Sequence, residues 1–263
     1  MTAQGQQEIE AVGAAPADTK QKPWALLGTP AVILVALAAL LFYLDSLGLD
    51  LPENASLASS INASTISDLV TQHLFLTVTS TVIVLLIAVP VGILLSRKGA
   101  KSVTPVVMAL ANIGQGAPAI GVIALLAAWF GIAVWVSVLA LTIYSILPAL
   151  RNTMVGLQQV DQSLVDAGRG IGMSAPAVLF RVELPLAVPV ILAGIRTTLV
   201  LNVGVAALAT FIGAGGLGEM VVTGVKLYQF PVLITGSALI AILALVVDWI
   251  AAIAERYLHP KGV

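Results

Sequence analysis

Apolar runs near twenty residues long recur along this chain, and they constrain its fold more than any motif does. They extend over about Trp24–Leu44, Leu69–Ser96, Val103–Phe130, Ala133–Leu150, Leu186–Ile212 and Val232–Ala254. A bilayer core of about 30 Å is crossed by about 20 apolar residues in a helix. No water is available there, so each backbone amide must find its partner within the segment. The runs predict an all-α integral membrane protein of about six transmembrane helices. Composition agrees: 59% of the 263 residues are hydrophobic and 10% charged, with a mean hydropathy of +1.05, well beyond a soluble domain.

The stretches between the runs set the organisation. Residues 1–22 are small and polar, cannot bury enough apolar area to order themselves, and read as a disordered cytoplasmic tail. A first membrane helix follows over 23–44, too long for a signal-peptide core and lacking a clear small-residue cleavage site. Residues 45–68 carry Asp45, Asp50, Glu53 and Asp68 without a Lys or Arg, as expected of a water-exposed extracytoplasmic loop. The core, 69–258, holds five more spans and a polar loop over 152–185. One span is interrupted by NIGQGAPAIG, residues 112–121, a break tolerated only where protein or a water-filled cavity satisfies the freed backbone groups.

Orientation follows from charge, because short cytoplasmic loops hold the Lys and Arg excess. Lys20, Lys22, Arg97, Lys98, Lys101, Arg151, Arg169, Arg181, Arg256 and Lys261 fall on one side. Those are ten of the twelve basic residues; Lys226 lies opposite and Arg196 within the fifth span. Both termini and the 152–185 loop are therefore expected in the cytoplasm. A net charge of −1 excludes a strongly basic nucleic-acid binder, and the lack of cysteine removes thiolate metal sites and cysteine nucleophiles.

Within the loop, DAGRGIGMSAPAVLFRVELP (166–185) crowds charge, glycine and proline between apolar runs. Small residues at Ala167, Gly168, Gly170 and Gly172 let another surface approach the backbone. Asp166, Arg169 and Arg181 supply charge to fix register. Leu184 and Pro185 mark a stop, since Pro185 lacks an amide hydrogen and biases its predecessor away from helix. A helix, a glycine turn and a second short helix make a rigid docking knob on this reading. Composition alone equally allows an amphipathic stretch lying on headgroups.

The spacing resembles that of permease subunits of bacterial ATP-binding-cassette importers. Their cytoplasmic loop reads Glu-Ala-Ala, three residues, Gly, nine residues, Ile-x-Leu-Pro. Here it is Asp166-Ala167-Gly168, three residues, Gly172, nine residues, Val182-Glu183-Leu184-Pro185. The resemblance implies a type I importer permease fold whose loop docks in a groove of an ATPase subunit, with Asp166, Ala167, Gly168, Arg169, Gly172, Leu184 and Pro185 as the coupling residues. It covers about residues 65–258. The segments RTTLVLNVGVAALATFIGAGGLGEMVVTG (196–224), NIGQGAPAIG and LALVVDWIAAIAERYL are similar to those of permeases for glycine betaine, choline, carnitine or proline betaine. Methionine and phosphonate permeases carry similar glycines and stand as the alternative.

Gly213, Gly215 and Gly218 fit a G-x-G-x-x-G pattern, but they follow a membrane helix rather than a strand, and Glu219 and Met220 occupy the Lys and Ser/Thr places of a phosphate loop. Tight helix packing or a flexible outer gate is expected there, and no cofactor on this chain. Hydrolysis of ATP, with its Mg, is then expected on the partner ATPase subunit. No H-E-x-x-H or G-x-S-x-G occurs, so no enzyme activity or metal site is expected. His73 and His259 lie near opposite faces and read as ordinary surface residues.

Ionisable groups inside a bilayer usually face a cavity or a partner. Arg196 and Asp248 both fall about 12–15 Å from the cytoplasmic boundary at 1.5 Å per residue. They either pair across the fifth and sixth helices or snorkel separately. For the translocation path the candidates are Gln115 and Pro118 at the break, together with Arg196, Asn202 and Asp248. Interhelical hydrogen bonding is the commoner use of a buried amide such as Gln115 or Asn202. Aromatics are scattered and make up only 5% of the chain. A cage for a cationic betaine is therefore expected on a separate extracytoplasmic substrate-binding protein.

These expectations describe a multi-pass protein of the bacterial inner membrane, paired with a second permease copy or a paralogue as homodimer or heterodimer. It contacts membrane lipid but no nucleic acid. A membrane assembly protein without cargo and an ion-coupled secondary transporter are the alternatives of another class.

Overall fold

The computed structural model describes residues 25–258; the expected tail over 1–22 and His259 lie outside the described residues. Nine principal helices follow in order: α1 (Ala25–Ser46), α2 (Ala63–Leu95), α3 (Thr104–Gly116), α4 (Ala119–Phe130), α5 (Val134–Gln158), α6 (Gln162–Gly170), α7 (Leu184–Ala206), α8 (Gly218–Lys226) and α9 (Phe230–Leu258). Helices α1, α2, α5, α7 and α9 are long and apolar enough to cross a membrane. The expected sixth span is α3 and α4 together, bent by 99° at Ala117 and Pro118.

Helix α5 is the hub, packing on α2, α7, α3 and α4. Its buried Ser145 and Thr153 return their hydroxyls to the carbonyls of Leu141 and Ala149 at 2.7 Å, so they cost the apolar interior little. Glycine lets the neighbours approach. A Cβ on Gly92 of α2 would lie 2.7 Å from Cβ of Thr153, and one on Gly194 of α7 would lie 2.9 Å from the Pro148 carbonyl oxygen. Close approach of this kind binds membrane helices where no hydrophobic drive exists between them. On α2 the buried positions Leu69, His73, Leu76, Ser80, Val84, Ala88, Gly92 and Leu95 repeat at three- and four-residue intervals, one helical stripe. Large side chains such as Leu34, Phe42, Leu86, Leu94 and Trp129 stay exposed, as a lipid-facing surface requires. Helix α1 packs on α9 through Ile33, Leu40 and Ile242.

Three boundaries depart from the sequence reading. Helix α2 begins at Ala63, inside the expected 45–68 loop, because the Asn62 side chain accepts the Thr65 amide at 2.9 Å and caps the first turn. Before it, Pro52–Asn54 and Ala55–Ser60 form short helical turns. Helix α5 does not end at Arg151 but runs to Gln158, so the polar loop starts several residues later than 152. Pro185 is not a stop. It sits in the first turn of α7, where proline's fixed backbone angle is tolerated. The five residues before it, Leu179–Glu183, widen into a π turn, and the chain passes from loop to span without a break.

Candidate coupling loop and transport route

Five of the basic residues described above, Arg97, Lys98, Lys101, Arg169 and Arg181, lie at the end of the molecule that carries α6, hereafter the basic face. There Asp161 opens α6 by accepting the Ser163 amide at 2.8 Å, and that hydrogen bond holds its carboxyl below the ordinary carboxylate range. Val165 and Gly168 turn inward, while Asp166, Ala167 and Arg169 are exposed. The Gln162 side chain donates to Asp166 at 3.1 Å. The helix closes with the Met173 amide on the Gly168 carbonyl at 3.1 Å and the Gly172 amide on the Arg169 carbonyl at 2.9 Å, the paired bonds of a Schellman end. That end needs a left-handed residue, and Gly172 has φ +89° with nothing near its missing Cβ. The short helix Ala175–Val178 and the π turn complete the segment, with Leu184 and Pro185 half-buried at the head of α7. The structure thus brings together an exposed helix, a glycine turn and a short helix, continuous with a membrane span.

Arg97, in the turn after α2, reaches Glu183 of the π turn at 2.6 Å, and Glu183 is 6% exposed. This clasp was not legible in the sequence, since nothing local ties those two positions. A cleft of about 350 Å³ beside it is lined by Lys98, Gln158, Gln162 and Arg169 as well as the pair.

Arg196 of α7 and Asp248 of α9 form a bidentate pair, Nε to Oδ1 at 2.5 Å and Nη2 to Oδ2 at 2.6 Å. Glu255, two turns further along α9, stands 3.6 Å from the same guanidinium; the sequence reading missed it because it looks like part of the charged end. Fork geometry of this kind fixes orientation as well as charge. The pair is the first of the two arrangements left open by the sequence, and it ties the last two long spans together.

The candidate path residues are not assembled in one place. Gln115 is half-buried in the last turn of α3, and Pro118 is exposed at the start of α4. Asn202 is fully buried between helices and donates to the Thr81 hydroxyl at 2.9 Å. Its Nδ2 holds α7 to α2, while its buried Oδ1 has no hydrogen-bond partner among the described residues.

At the opposite face the chain leaves α7 through a tight turn, Ala207–Ile212, into Gly213–Gly216. The amide of Gly216 donates to the Gln72 side chain at 3.0 Å, and Thr210 donates to the Gly215 carbonyl at 2.8 Å. Gly213, Gly215 and Gly216 all have positive φ. His73 corrects the sequence reading. It is fully buried beneath this loop rather than on the surface, donating from Nε2 to the Val203 carbonyl at 2.9 Å. Its place in the α2 stripe, four after Leu69 and three before Leu76, is the signal that marked it as an inward residue. A cavity of about 900 Å³ opens beside the loop, walled by Gln72, Phe75, Phe211, Glu219, Thr223 and Lys226.

Comparison with known proteins places this geometry. Residues 88–261 match the family described as "Binding-protein-dependent transport system inner membrane component". The chain is 39% identical over 193 residues to the glycine betaine/carnitine/choline transport system permease protein OpuCB of Bacillus subtilis, covering 73% of this chain and 87% of that protein. It is 43% identical over 192 residues to the osmoprotectant import permease protein OsmY of Salmonella typhimurium, covering 73% and 81%. Among solved structures, the inward-facing MetNI methionine ABC transporter superposes with a TM-score of 0.69 at 23% identity, over 76% of this chain and 100% of the matched one. That last likeness is one of fold.

Proposed function

Because the chain belongs to the family of inner membrane components of binding-protein-dependent transport systems, we propose that it is the permease subunit of an ATP-driven importer of quaternary-ammonium osmoprotectants: glycine betaine, choline, carnitine or proline betaine. As a member of that family it is a multi-pass membrane protein and a transport subunit, not itself a catalyst. The observation that carries the reading is that the exposed α6 knob folds, across the hydrogen-bonded Gly172 turn, onto a short helix and π turn that run unbroken into α7. A force applied to the knob enters the membrane span through that unbroken stretch. In this reading the basic face is cytoplasmic, and an ATPase subunit holding ATP and Mg grips Asp166, Ala167, Arg169 and Gly172, with Gly168 packed inward against Met173 and Val178 behind them. A receptor delivers cargo at the opposite face, and a second permease copy or paralogue completes the path past Gln115, Pro118 and the Arg196–Asp248 pair.

The cargo class is supported by likeness to relatives named for these compounds over most of their length. The test is uptake of radiolabelled glycine betaine in a transport-deficient bacterial host supplying the matching ATPase and receptor. Uptake that needs the ATPase and is competed by other quaternary-ammonium solutes is expected. Competition by methionine or a phosphonate instead would move the protein to the alternative cargo class.

A further inference from the structure

The cavity at the face opposite the coupling loop holds chemistry that none of the packing contacts uses. Phe75 of α2 and Phe211 of the turn after α7 stand in its wall, each 57% exposed. Glu219 and Lys226 of α8 share that wall, are exposed, and form no ion pair among the described residues. They are two helical turns apart, about 10 Å of rise along one side of the helix. An acid near the start of a helix and a base near its end suit the helix dipole. That preference does not explain why both line a cavity beside two phenyl rings.

The cavity is of small-molecule size. A quaternary ammonium has no hydrogen to donate and is held by aromatic faces and by negative charge. A carboxylate is held by an ammonium. Lys226 is also the one basic residue that the charge distribution leaves on that side, and positive charge there runs against the general bias.

We propose that this cavity is a zwitterion site in which Phe75, Phe211 and Glu219 take a trimethylammonium group and Lys226 takes a carboxylate. It rests on the osmoprotectant reading and narrows it to carboxylated betaines over choline, which carries a hydroxyl where the betaines carry a carboxylate.

The test uses the permease–ATPase complex in nanodiscs without receptor, probed with radiolabelled glycine betaine and with choline, alongside uptake by the complete importer in cells. Glycine betaine is expected to bind more tightly than choline. Lys226→Gln should weaken glycine betaine by up to about fivefold, the upper end for one solvent-accessible charge contact, and leave choline unchanged. Phe75→Ala and Phe211→Ala should weaken both, and all three substituted side chains are exposed enough for the fold to survive. Equal loss for both ligands in Lys226→Gln, or no receptor-free binding in a complex whose importer transports normally, overturns the site alone. Failure of the wild-type importer to take up either compound overturns the transport reading, and the site with it.

Discussion

Arg97, in the turn after α2, and Glu183, in the π turn before α7, form an ion pair of 2.6 Å that clasps two membrane spans at the basic face. Glu183 is nearly buried whereas Arg97 keeps contact with solvent. The carboxylate therefore depends on the guanidinium far more than the reverse, because a buried charge without its partner is costly. The pair sits where the exposed knob becomes membrane helix, so its loss is felt at the point through which movement passes.

Arg97→Gln is expected to destabilise the folded protein by about 3 kcal/mol, the scale for leaving a nearly buried carboxylate without its charged partner. Arg97→Gln with Glu183→Gln should recover much of that loss, since two neutral groups leave no buried charge. Thermal unfolding in detergent, with uptake in cells, checks both. Equal stability of the single and double variants would show that the clasp carries no coupling energy.

Two loop glycines should separate cleanly. A Cβ on Gly168 meets Met173, Val178 and Val182 at 3.4–3.8 Å, ordinary contact, so Gly168→Ala should be close to neutral in stability and uptake. Gly172 has open space but φ +89°, so Gly172→Ala should cost about 1–2 kcal/mol of loop stability. Hydrogen exchange of the Met173 amide reads the difference directly.

At the Arg196 cluster, Asp248→Asn leaves Glu255 within 3.6 Å to take over part of the charge. A mild loss of uptake is expected from Asp248→Asn, and a much larger one from Asp248→Asn with Glu255→Gln. Charge reversal at both ends of the Arg196–Asp248 pair should restore some of what each single reversal removes. Strictly additive losses in the double variants would argue that the three groups act independently.

Asp161 sets a pH response for the knob. Its carboxyl is held below its ordinary value by the Ser163 amide. The cap therefore contributes fully above the ordinary carboxylate pKa of about 4 and is lost as pH falls through the lower folded value. Amide exchange at Ser163 should accelerate as pH drops below about 4, after correction for intrinsic rates. Asp161→Asn, which cannot titrate, should flatten that dependence.

Much of the fold was legible because hydrophobic length reports on a bilayer with little ambiguity. The five long spans, the break at Pro118 and the polar loop follow from runs and interruptions alone. What escaped has common physical causes. The start of α2 was hidden by Ser64, Thr65, Ser67 and Asp68, which look like loop until Asn62 is seen as a cap. The continuation through Pro185 was hidden because a proline that ends one helix pattern is equally at home in the first turn of the next. His73, Glu183 and Glu255 owe their partners to tertiary packing, on which local polarity is silent. Arg196 and Asp248 were accessible because charge in hydrocarbon is rare enough to draw attention to itself. Glu255, at a helix end full of charge, was not.

The two ends of α2 are fastened by different chemistry. Beyond one terminus lies the half-wet ionic clasp of Arg97 with Glu183, and near the other the uncharged amide of Gln72 holds the Gly216 backbone. Dissolved electrolyte screens so deeply seated a carboxylate only weakly and the amide not at all. Both moorings of this rod therefore hold in a concentrated medium, and only removal of a partner side chain casts either one off.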